Sequence, residues 1–338
     1  MAEILILGQK EIESLFTLDM ALKAVEQAYS EKASGQGSVW PMVFHEFDPG
    51  HADLDIKSGD LAGAGIFGSK VVSWFGENPA KGKPALYGTS LIFDRATGEP
   101  KALLNAGPVT DLRTGAAGAI GAKYLARKDS ENLVMAGCGE LAPYLIAATL
   151  AACPGLKKVT LVNPHTPQKA AARLCAVTEK VDALLQSAGL PRQAAIESSE
   201  QIKASVQQAD IILTATPAYE PIIQWDWIKP GTHLSCVGAD LAGKQELDVR
   251  ILQNAAVFGD DQAQCFAVGE CEKAHKAGVL PALRGELGQV MLGQCPGRTD
   301  AEQITVFDST GIALQDLASA AVILQKAQKE DLGQKAVL

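Results

Sequence analysis

The sequence predicts an α/β protein with two domains, a doubly wound parallel sheet and an N-terminal α+β domain. With 338 residues, the chain is longer than one hydrophobic core usually supports. Its first part is rich in extended runs, whereas from residue 132 apolar strands alternate with amphipathic helices. This alternation requires right-handed crossovers and produces a parallel sheet covered on both faces. We therefore predict one domain from residues 1–125 and 310–338, and another from residues 126–309.

The elements of the first domain follow from its apolar patterning. A short strand at residues 3–8 precedes an amphipathic helix at about 18–34. Four extended runs come next: SVWPMVFHEF, ADLDIKSG, IFGSKVVSWF and ALYGTSLIFD. The last run pairs with EPKALLNA across RATG, a hairpin turn that contains glycine. These elements predict a mostly antiparallel sheet, followed by a helix of Gly and Ala at residues 104–126.

The second domain shows the strand–helix rhythm. NLVMAG leads to a helix at about 140–152, and KVTLVN leads to one at about 168–187. Further strands are predicted at DIILTAT, THLSCVGA, AVFGD and ITVFDSTG. A final helix at about 313–328 is predicted to return to the first domain.

Composition excludes several classes of protein. A net charge of -9 argues against a nucleic-acid partner. No apolar run approaches the ~18 residues of a membrane span, and EILILG is too short for a signal peptide. The seven cysteines are scattered, which favours reduced thiols over a disulfide framework. Cys271 and His275 lie at helical spacing but lack further ligands, so no metal site is predicted. We expect a soluble cytoplasmic protein.

The strongest local motif is VMAGCGELAPY, which fits G-x-G-x-x-A directly after an apolar strand. Glycines there permit a tight turn and close backbone approach, and the helix N-terminus offers amides to a pyrophosphate. The motif therefore predicts a Rossmann-type domain that binds a dinucleotide, although an ordinary strand–helix turn would look similar. The residues predicted to bind the cofactor in this loop are Gly137, Cys138, Gly139, Glu140 and Leu141.

The end of the second strand bears on the choice of cofactor. A carboxylate at this position favours NAD and an arginine favours NADP, but the chain has Asn163. Asn163 could hydrogen-bond a ribose hydroxyl. His165 and Lys169 could meet a 2′-phosphate or simply lie on the loop surface. The absence of an arginine in this segment favours NAD and leaves NADP open.

Three blocks resemble the ornithine cyclodeaminase/mu-crystallin family. They are the stretch from GSKVVSWF to RTGAAGAIGAKYLAR, then VGADLAGKQELD, then VFDSTGIALQDLASA, in order along nearly the whole chain. The resemblance implies an N-terminal substrate-binding and dimerisation domain, an NAD(P)-binding Rossmann domain and a homodimer. Members include ornithine cyclodeaminases, alanine and arginine dehydrogenases, and imine reductases. Some mu-crystallins serve as binding proteins.

The resemblance also implies roles for individual residues. It assigns substrate binding to Arg113 and Lys70, and catalysis to Asp240 and Lys70. The positions that it assigns to the cofactor site beyond the glycine loop are Thr114, Thr214, Ala215, Thr216, Val237, Gly238 and Ala239.

The chain departs from the family pattern at two positions. Where many members carry an arginine after a proline, this chain has Met42, and Lys57 on an adjacent predicted strand is the nearby cationic candidate for substrate binding. Asp308 stands where lysine is common. Both departures bear on the side-chain end of the substrate.

The chemistry of an α-amino acid fits these residues. Arg113 can hold its carboxylate with a planar fork, and Lys70 can bind the carboxylate or act on the nitrogen. Asp240, on a loop after a parallel strand, can bond an ammonium or iminium and move a proton. The surrounding Gly and Ala would let the substrate and nicotinamide lie against the helix.

Each of these residues has a simpler interpretation. Arg113 could form a surface ion pair with Asp111 or Asp94, and Lys70 could be a solvated strand charge. Lys57 could be an exposed edge-strand lysine. Asp240 could cap its loop.

The sequence thus predicts an NAD(P)-dependent oxidoreductase acting on the C–N bond of a small α-amino acid or its imine. One alternative is an ornithine cyclodeaminase-type reaction, in which hydride returns after cyclisation and ammonia release. Another is a crystallin-like ligand-binding protein.

Overall fold

The computed structural model describes residues 3–338. Its chain forms two compact units, Met1–Arg113 with Ile312–Leu338 (unit 1) and Thr114–Gly311 (unit 2). The first boundary falls inside a helix, Gly107–Leu125, whereas the sequence analysis set it at the end of that helix.

Unit 1 begins with seven strands and two helices. They are β1 (Glu3–Leu7), α1 (Gln9–Leu15), α2 (Leu18–Ala33), β2 (Gly37–Val39), β3 (Val43–Asp48), β4 (Ala52–Leu61), β5 (Ile66–Phe75), β6 (Leu86–Asp94) and β7 (Pro100–Asn105). Apart from the parallel pair β1–β7, neighbouring strands among these are antiparallel.

The predicted hairpin between β6 and β7 is confirmed. Asp94 Oδ1 accepts hydrogen bonds from Ala96 N at 2.9 Å and from Thr97 N at 3.0 Å. Gly98 takes a φ of +76°, a left-handed conformation that glycine adopts without steric cost.

Unit 2 contains eight strands and seven helices, and it begins within helix α3 (Gly107–Leu125). The strands are β8 (Asn132–Ala136), β9 (Lys158–Val162), β10 (Ala195–Ser198), β11 (Ile211–Thr214), β12 (His233–Cys236), β13 (Ala256–Gly259), β14 (Gly285–Glu286) and β15 (Thr305–Asp308). The helices are α4 (Ala142–Ala152), α5 (Gln168–Ser187), α6 (Ile202–Gln208), α7 (Val249–Asn254), α8 (Gln262–Val268), α9 (Glu272–Lys276) and α10 (Leu287–Met291).

The sheet of unit 2 is doubly wound, as predicted. Its strands run in the order β10-β9-β8-β11-β12-β15-β13-β14, and every neighbouring pair is parallel. The chain order reverses between β8 and β11. In such sheets the crevice at the carboxyl ends of the strands beside this reversal binds ligands.

The Gly/Ala composition of α3 serves packing inside unit 2. A Cβ on Gly115 would lie 2.6 Å from Tyr144 O, and one on Gly121 would lie 2.3 Å from Phe307 Cδ1. These glycines let α3 approach α4 and the sheet closely. The sequence analysis attributed the small residues to ligand approach, whereas at these positions neighbouring protein atoms occupy the space.

The end of the chain belongs to unit 1. Helix α11 (Ala313–Glu330) matches the predicted final helix, and β16 (Gln334–Val337) pairs antiparallel with β1 at the edge of the unit 1 sheet. Side chains of α11 reach the sheet, because a Cβ on Gly59 or Gly68 would lie 3.1 Å from Leu314 or Leu317.

Two further features of the described residues concern membrane-spanning helices and disulfide bonds. No helix between residues 3 and 338 is long and apolar enough to cross a bilayer. All seven cysteines are unpaired.

Candidate active site

Three cationic side chains are buried together in unit 1. Lys57, Lys70 and Arg113 are 6%, 3% and 5% exposed. Lys57 on β4 lies directly opposite Lys70 on β5, so both side chains point to one face of the sheet. We call these three residues the basic cluster.

Helix α11 supplies the partners of the basic cluster. Lys70 Nζ lies 3.1 Å from Asp316 Oδ1, and Arg113 Nε lies 3.2 Å from the same oxygen. Arg113 Nη1 also donates to Gln315 Oε1 at 2.9 Å, and Gln315 Nε2 donates to the hydroxyl of Tyr29 at 2.7 Å. Neither Asp316 nor Gln315 is predicted from the sequence as part of the site.

Charge in this region is unbalanced. Burial and the neighbouring Arg113 lower the pKa of Lys70 to about 8, against the opposing effect of Asp316. Burial raises the pKa of Asp316, but Arg113 and Lys70 outweigh this and hold it below its usual range. The charges of Lys57, Lys70 and Arg113 therefore all act on the carboxylate of Asp316, and Asp55 also acts on Lys70. A position on which three cations act is attractive to an added anion.

The structure contradicts the simpler interpretations of Lys70 and Lys57, and it places an ion pair of Arg113 in the interior and not at the surface. Arg113 is buried beside Asp316, and Asp94, its suggested surface partner, pairs with Lys101 at 2.7 Å. Lys70 is not a solvated charge. Lys57 is not on an edge strand, because β4 bonds to β5 on one side and to β2 and β3 on the other. Met42 lies half-buried between β2 and β3.

The glycine loop of unit 2 joins β8 to α4. Gly137 has a φ of +117°, and a Cβ there would lie 2.6 Å from Ala215 O. A Cβ on Gly139 would meet no protein atom within 4 Å. Cys138 is buried, whereas Glu140 is exposed and Leu141 half-buried. The structure therefore explains the first glycine by packing and leaves open space at the second.

Asn163 stabilises the turn after β9. Its Oδ1 accepts from the amides of His165 at 3.1 Å and Thr166 at 2.8 Å, and its Nδ2 donates to Cys138 Sγ at 3.1 Å. The side chains of His165 and Lys169 are exposed.

An arginine that the sequence analysis missed lies beside the glycine loop. Arg173 on α5 donates to Glu140 at 3.0 Å. A turn at residues 163–167 and the first five residues of α5 separate Arg173 from the end of β9, so the segment directly after the strand does not include it.

Two further loops follow the neighbouring strands β11 and β12. Thr214 is the last residue of β11, and Ala215 and Thr216 follow it. Val237, Gly238 and Ala239 follow β12. Because β8, β11 and β12 are adjacent and parallel, their carboxyl ends lie at one edge of the sheet. Thr114, eight per cent exposed, lies in α3 directly after Arg113.

A buried carboxylate joins these two loops. Glu246 is fully buried and accepts hydrogen bonds from Thr214, Thr216 and Gly238. Burial raises the pKa of Glu246, and the hydrogen bonds oppose that rise. Glu246 lies in the block VGADLAGKQELD, but the sequence alone predicts no role for it.

Asp240 lies in the loop between Gly238 and Glu246. Its Oδ1 accepts from Lys244 Nζ at 2.6 Å, and its side chain is 47% exposed. Burial lowers the pKa of Lys244, but Asp240 outweighs this and raises it above its usual value. The carboxylate is thus half-open to solvent and fixed on one side by a cation.

Asp308 ends β15 and is fully buried. Its Oδ2 accepts from Cys271 N at 3.0 Å. Burial and the neighbouring Asp260 raise the pKa of Asp308 to about 7. No cluster of potential metal ligands occurs in residues 3–338.

Comparison with known proteins agrees with this architecture. The profile of the Ornithine cyclodeaminase/mu-crystallin family matches residues 2–331. The chain belongs to this family. It is 36% identical over 339 residues to an alanine dehydrogenase of Archaeoglobus fulgidus, covering 98% of both chains.

Two solved structures of family proteins share the whole fold. One is an archaeal alanine dehydrogenase dimer with bound NAD, which is 35% identical with a TM-score of 0.87, covering 99% of both chains. The other is the iminosuccinate reductase of Paracoccus denitrificans in complex with NAD⁺. It is 31% identical with a TM-score of 0.88, covering 99% of this chain and 100% of the other.

Proposed function

We propose that the protein is an NAD-dependent oxidoreductase that acts on the C–N bond of a small α-amino acid or the matching imine. The basic cluster carries this proposal, because three buried cations close to one another suit a small anion such as a carboxylate. The related alanine dehydrogenase and iminosuccinate reductase act on substrates of this class by name.

In this proposal Arg113 and Lys70 bind the substrate carboxylate. Arg113 already donates to Asp316 and Gln315, which fix the plane of its guanidinium group. A fixed guanidinium binds a carboxylate with little loss of side-chain entropy. Lys57, opposite Lys70, adds charge next to this position and is our candidate for recognition of the rest of the substrate.

Unit 2 would bind the cofactor. The open space at Gly139 and the N-terminus of α4 suit a pyrophosphate, since helix amides and the helix dipole favour anions there. When bound, the nicotinamide supplies the hydride donor or acceptor for the substrate's Cα. Asp240 accepts the proton from the substrate nitrogen in oxidation and returns it in reduction.

We propose NAD over NADP as the preferred cofactor. Both solved relatives described above contain NAD or NAD⁺. Arg173, the arginine beside the glycine loop, is engaged by Glu140. Titration of the protein with NADH and NADPH separates these cofactors, and tighter binding of NADPH would contradict this preference.

Assays with a panel of substrates test the reaction. The panel contains amino acids with NAD⁺, 2-oxo acids with ammonia and NADH, and cyclic imines with NADH, read by absorbance at 340 nm and by mass spectrometry. We expect stoichiometric change of NADH with one substrate class. Ammonia release and a cyclic product without net change of NADH would indicate a cyclodeaminase instead. Ligand binding without any turnover would indicate a binding protein.

We also propose a homodimer formed through unit 1. Eight large apolar side chains between residues 40 and 91 are exposed. Val43 and Leu91 lie on the sheet face opposite Lys70, because their paired residues alternate with it along β5. An apolar patch on one face of a sheet is typical of an interface. The related archaeal alanine dehydrogenase is a dimer.

A cytoplasmic location fits the thiols. All seven cysteines are unpaired, which is the usual state of cysteines in a reducing compartment. Fractionation of the native host would test this assignment.

A further inference from the structure

Glu246 is a buried carboxylate that the proposed reaction leaves unexplained. Its Oε1 accepts from Thr216 N at 2.7 Å and from Thr216 Oγ1 at 2.8 Å. Its Oε2 accepts from Thr214 Oγ1 at 2.6 Å and from Gly238 N at 3.0 Å. Four donors from two loops therefore converge on one side chain.

The arrangement requires, at position 246, a side-chain group that only accepts hydrogen bonds. Each carboxylate oxygen receives one backbone N–H, from Thr216 on one side and from Gly238 on the other. A backbone N–H cannot rotate away, so an amide NH₂ at either position would face a donor. Glutamine in place of Glu246 would therefore leave one buried N–H without an acceptor in either orientation.

The backbone of Glu246 is fixed as firmly as its side chain. Its amide donates to Glu270 Oε2 at 2.8 Å, and the next amide, of Leu247, donates to Glu270 Oε1 at 2.7 Å. Its carbonyl accepts from Ile222 N at 2.8 Å and Ile223 N at 3.1 Å. The hydrogen bonds of its backbone therefore fix the position of Glu246, and its carboxylate points to the two loops.

The loops that it joins follow β11 and β12, next to the glycine loop. Gly238 packs so closely that a Cβ there would lie 2.4 Å from Thr216 O and 2.5 Å from Glu246 Cδ. Gly137 in turn packs against Ala215 O, between the two threonines. Contact thus runs from Glu246 through residues 214–216 to the first glycine of the cofactor loop.

We propose that Glu246 is a positioning residue for the cofactor, which sets the shape of the crevice at the ends of β8, β11 and β12. This inference rests on the proposed binding of NAD(H) in unit 2. Glu246 touches no cofactor in this scheme and acts through Thr216 and Gly238. The same side chain closes the loop that carries Asp240, since it joins Gly238 to residue 246 across that loop.

The test compares Glu246→Gln with a control carboxylate on the same sheet. Asp210 directly precedes β11, is 5% exposed, and accepts from the amides of Glu131 and Asn132, each at 3.0 Å. It lies at the amino end of the sheet, away from the crevice. Asp210→Asn therefore perturbs a comparably buried carboxylate of unit 2 without touching the crevice loops.

We expect Glu246→Gln to weaken NADH binding at least tenfold, measured by fluorescence titration, and to raise KM for the cofactor while KM for the amino acid changes less than twofold. Asp210→Asn should leave cofactor affinity within twofold of the wild type, even if its melting temperature falls as much as that of Glu246→Gln. Equal cofactor affinity in Glu246→Gln and the wild type, or an equal loss in Asp210→Asn, would overturn the proposal.

A milder variant covers the case in which Glu246→Gln does not fold. Thr214 is fully buried and its hydroxyl donates to Glu246, so Thr214→Val removes one of the four donors while keeping the shape. We expect a two- to fivefold loss of NADH affinity, and no loss would contradict the inference. A wild type that binds no dinucleotide would contradict the proposed function. A wild type and variants that all bind NADH equally well would contradict only the role of Glu246.

Discussion

At the scale of single residues, Lys70 gives the basic cluster a pH dependence. Burial and Arg113 lower its pKa to about 8 against the pull of Asp316. Below pH 8 the side chain is protonated and attracts a carboxylate; above pH 8 it loses that charge. The affinity is measured for the carboxylate compound that binds most tightly in the substrate panel. It should be constant below pH 8 and fall by up to about tenfold per pH unit above it.

The matched control for this pH dependence is Lys70→Arg. Guanidinium remains charged throughout the range, so the fall above pH 8 should disappear, whatever the absolute affinity. Inhibition constants measured across the pH series report this difference. A wild type with constant affinity above pH 8, or the same fall in the Lys70→Arg variant, would show that Lys70 does not bind the anion.

The two glycines of the cofactor loop should respond differently to alanine. Gly137 has a φ of +117°, and a Cβ there would lie 2.6 Å from the backbone oxygen of Ala215, so Gly137→Ala should lower the free energy of unfolding by about 1–3 kcal/mol. Gly139 has open space, so Gly139→Ala should keep its stability and lose at least tenfold in NADH affinity. Denaturant titration and NADH fluorescence measure the two effects.

Two results for Gly139→Ala would contradict this expectation. Stability loss in Gly139→Ala, or unchanged NADH affinity, would show that the open space at this position does not receive the pyrophosphate. The control in this pair is internal, because both variants add the same methyl group to the same loop.

Sequence reasoning identified some residues of the basic cluster and missed others for a physical reason. Lys70 and Arg113 stand out in the sequence as charges in apolar surroundings, and both are buried in the structure. The burial of Lys57 depends on which strands flank β4, which local patterning does not show. Asp316 lies 203 residues from Arg113, so only tertiary structure brings them together.

At the scale of elements, the glycines of α3 make a prediction about helix packing. Alanine in place of a helical glycine normally stabilises a helix by about 1 kcal/mol. At Gly121 the new Cβ would lie 2.3 Å and 2.9 Å from two atoms of the Phe307 ring and 2.7 Å from Ser235 Oγ, so relief would need two side chains to move, one of them a rigid ring. Gly121→Ala should therefore lower the free energy of unfolding by about 1–3 kcal/mol in denaturant titrations.

Gly118 is the control for that variant. Its Cβ would meet Leu145 Cδ2 at 2.7 Å, the end of a side chain that can change rotamer. Gly118→Ala should thus cost less than Gly121→Ala. Equal stability in the two variants would show that α3 can shift away from the sheet.

The elements themselves follow from the sequence where patterning is strong. The alternation from residue 132 predicts the strands β8, β9, β11, β12, β13 and β15, and a parallel sheet follows from the crossovers. The short edge strands β10 and β14 carry no continuous apolar run. Helix α1 and strand β16 are also absent from the sequence prediction, because seven- and four-residue segments give little periodicity.

At the scale of the whole molecule, the sequence predicts two folding units but sets their boundary by composition. The compact units divide within α3, since Arg113 pairs with Asp316 in unit 1 while Gly115 packs against Tyr144 in unit 2. One continuous helix therefore contributes to both units. A change of composition along the chain does not detect such a division, because the helix pattern continues through it.

The proposed dimer gives the last prediction. Leu91 on β6 is 38% exposed on the sheet face opposite Lys70, and Leu190 in unit 2 is 40% exposed. A lysine at either site is tolerated in the single chain, since each side chain already reaches solvent. In an interface at the unit 1 sheet, however, Leu91→Lys would bury a charge without a partner, which costs several kcal/mol in a twofold contact.

Sedimentation velocity over a range of concentrations measures the outcome. We expect the wild type and Leu190→Lys to sediment as dimers and Leu91→Lys to shift towards monomer, with the same melting behaviour at low concentration. A wild type that is monomeric at every concentration would contradict the dimer. Dimers in all three proteins would place the interface elsewhere, because a buried lysine in place of Leu91 in each of the two subunits could not persist in a well-packed apolar contact.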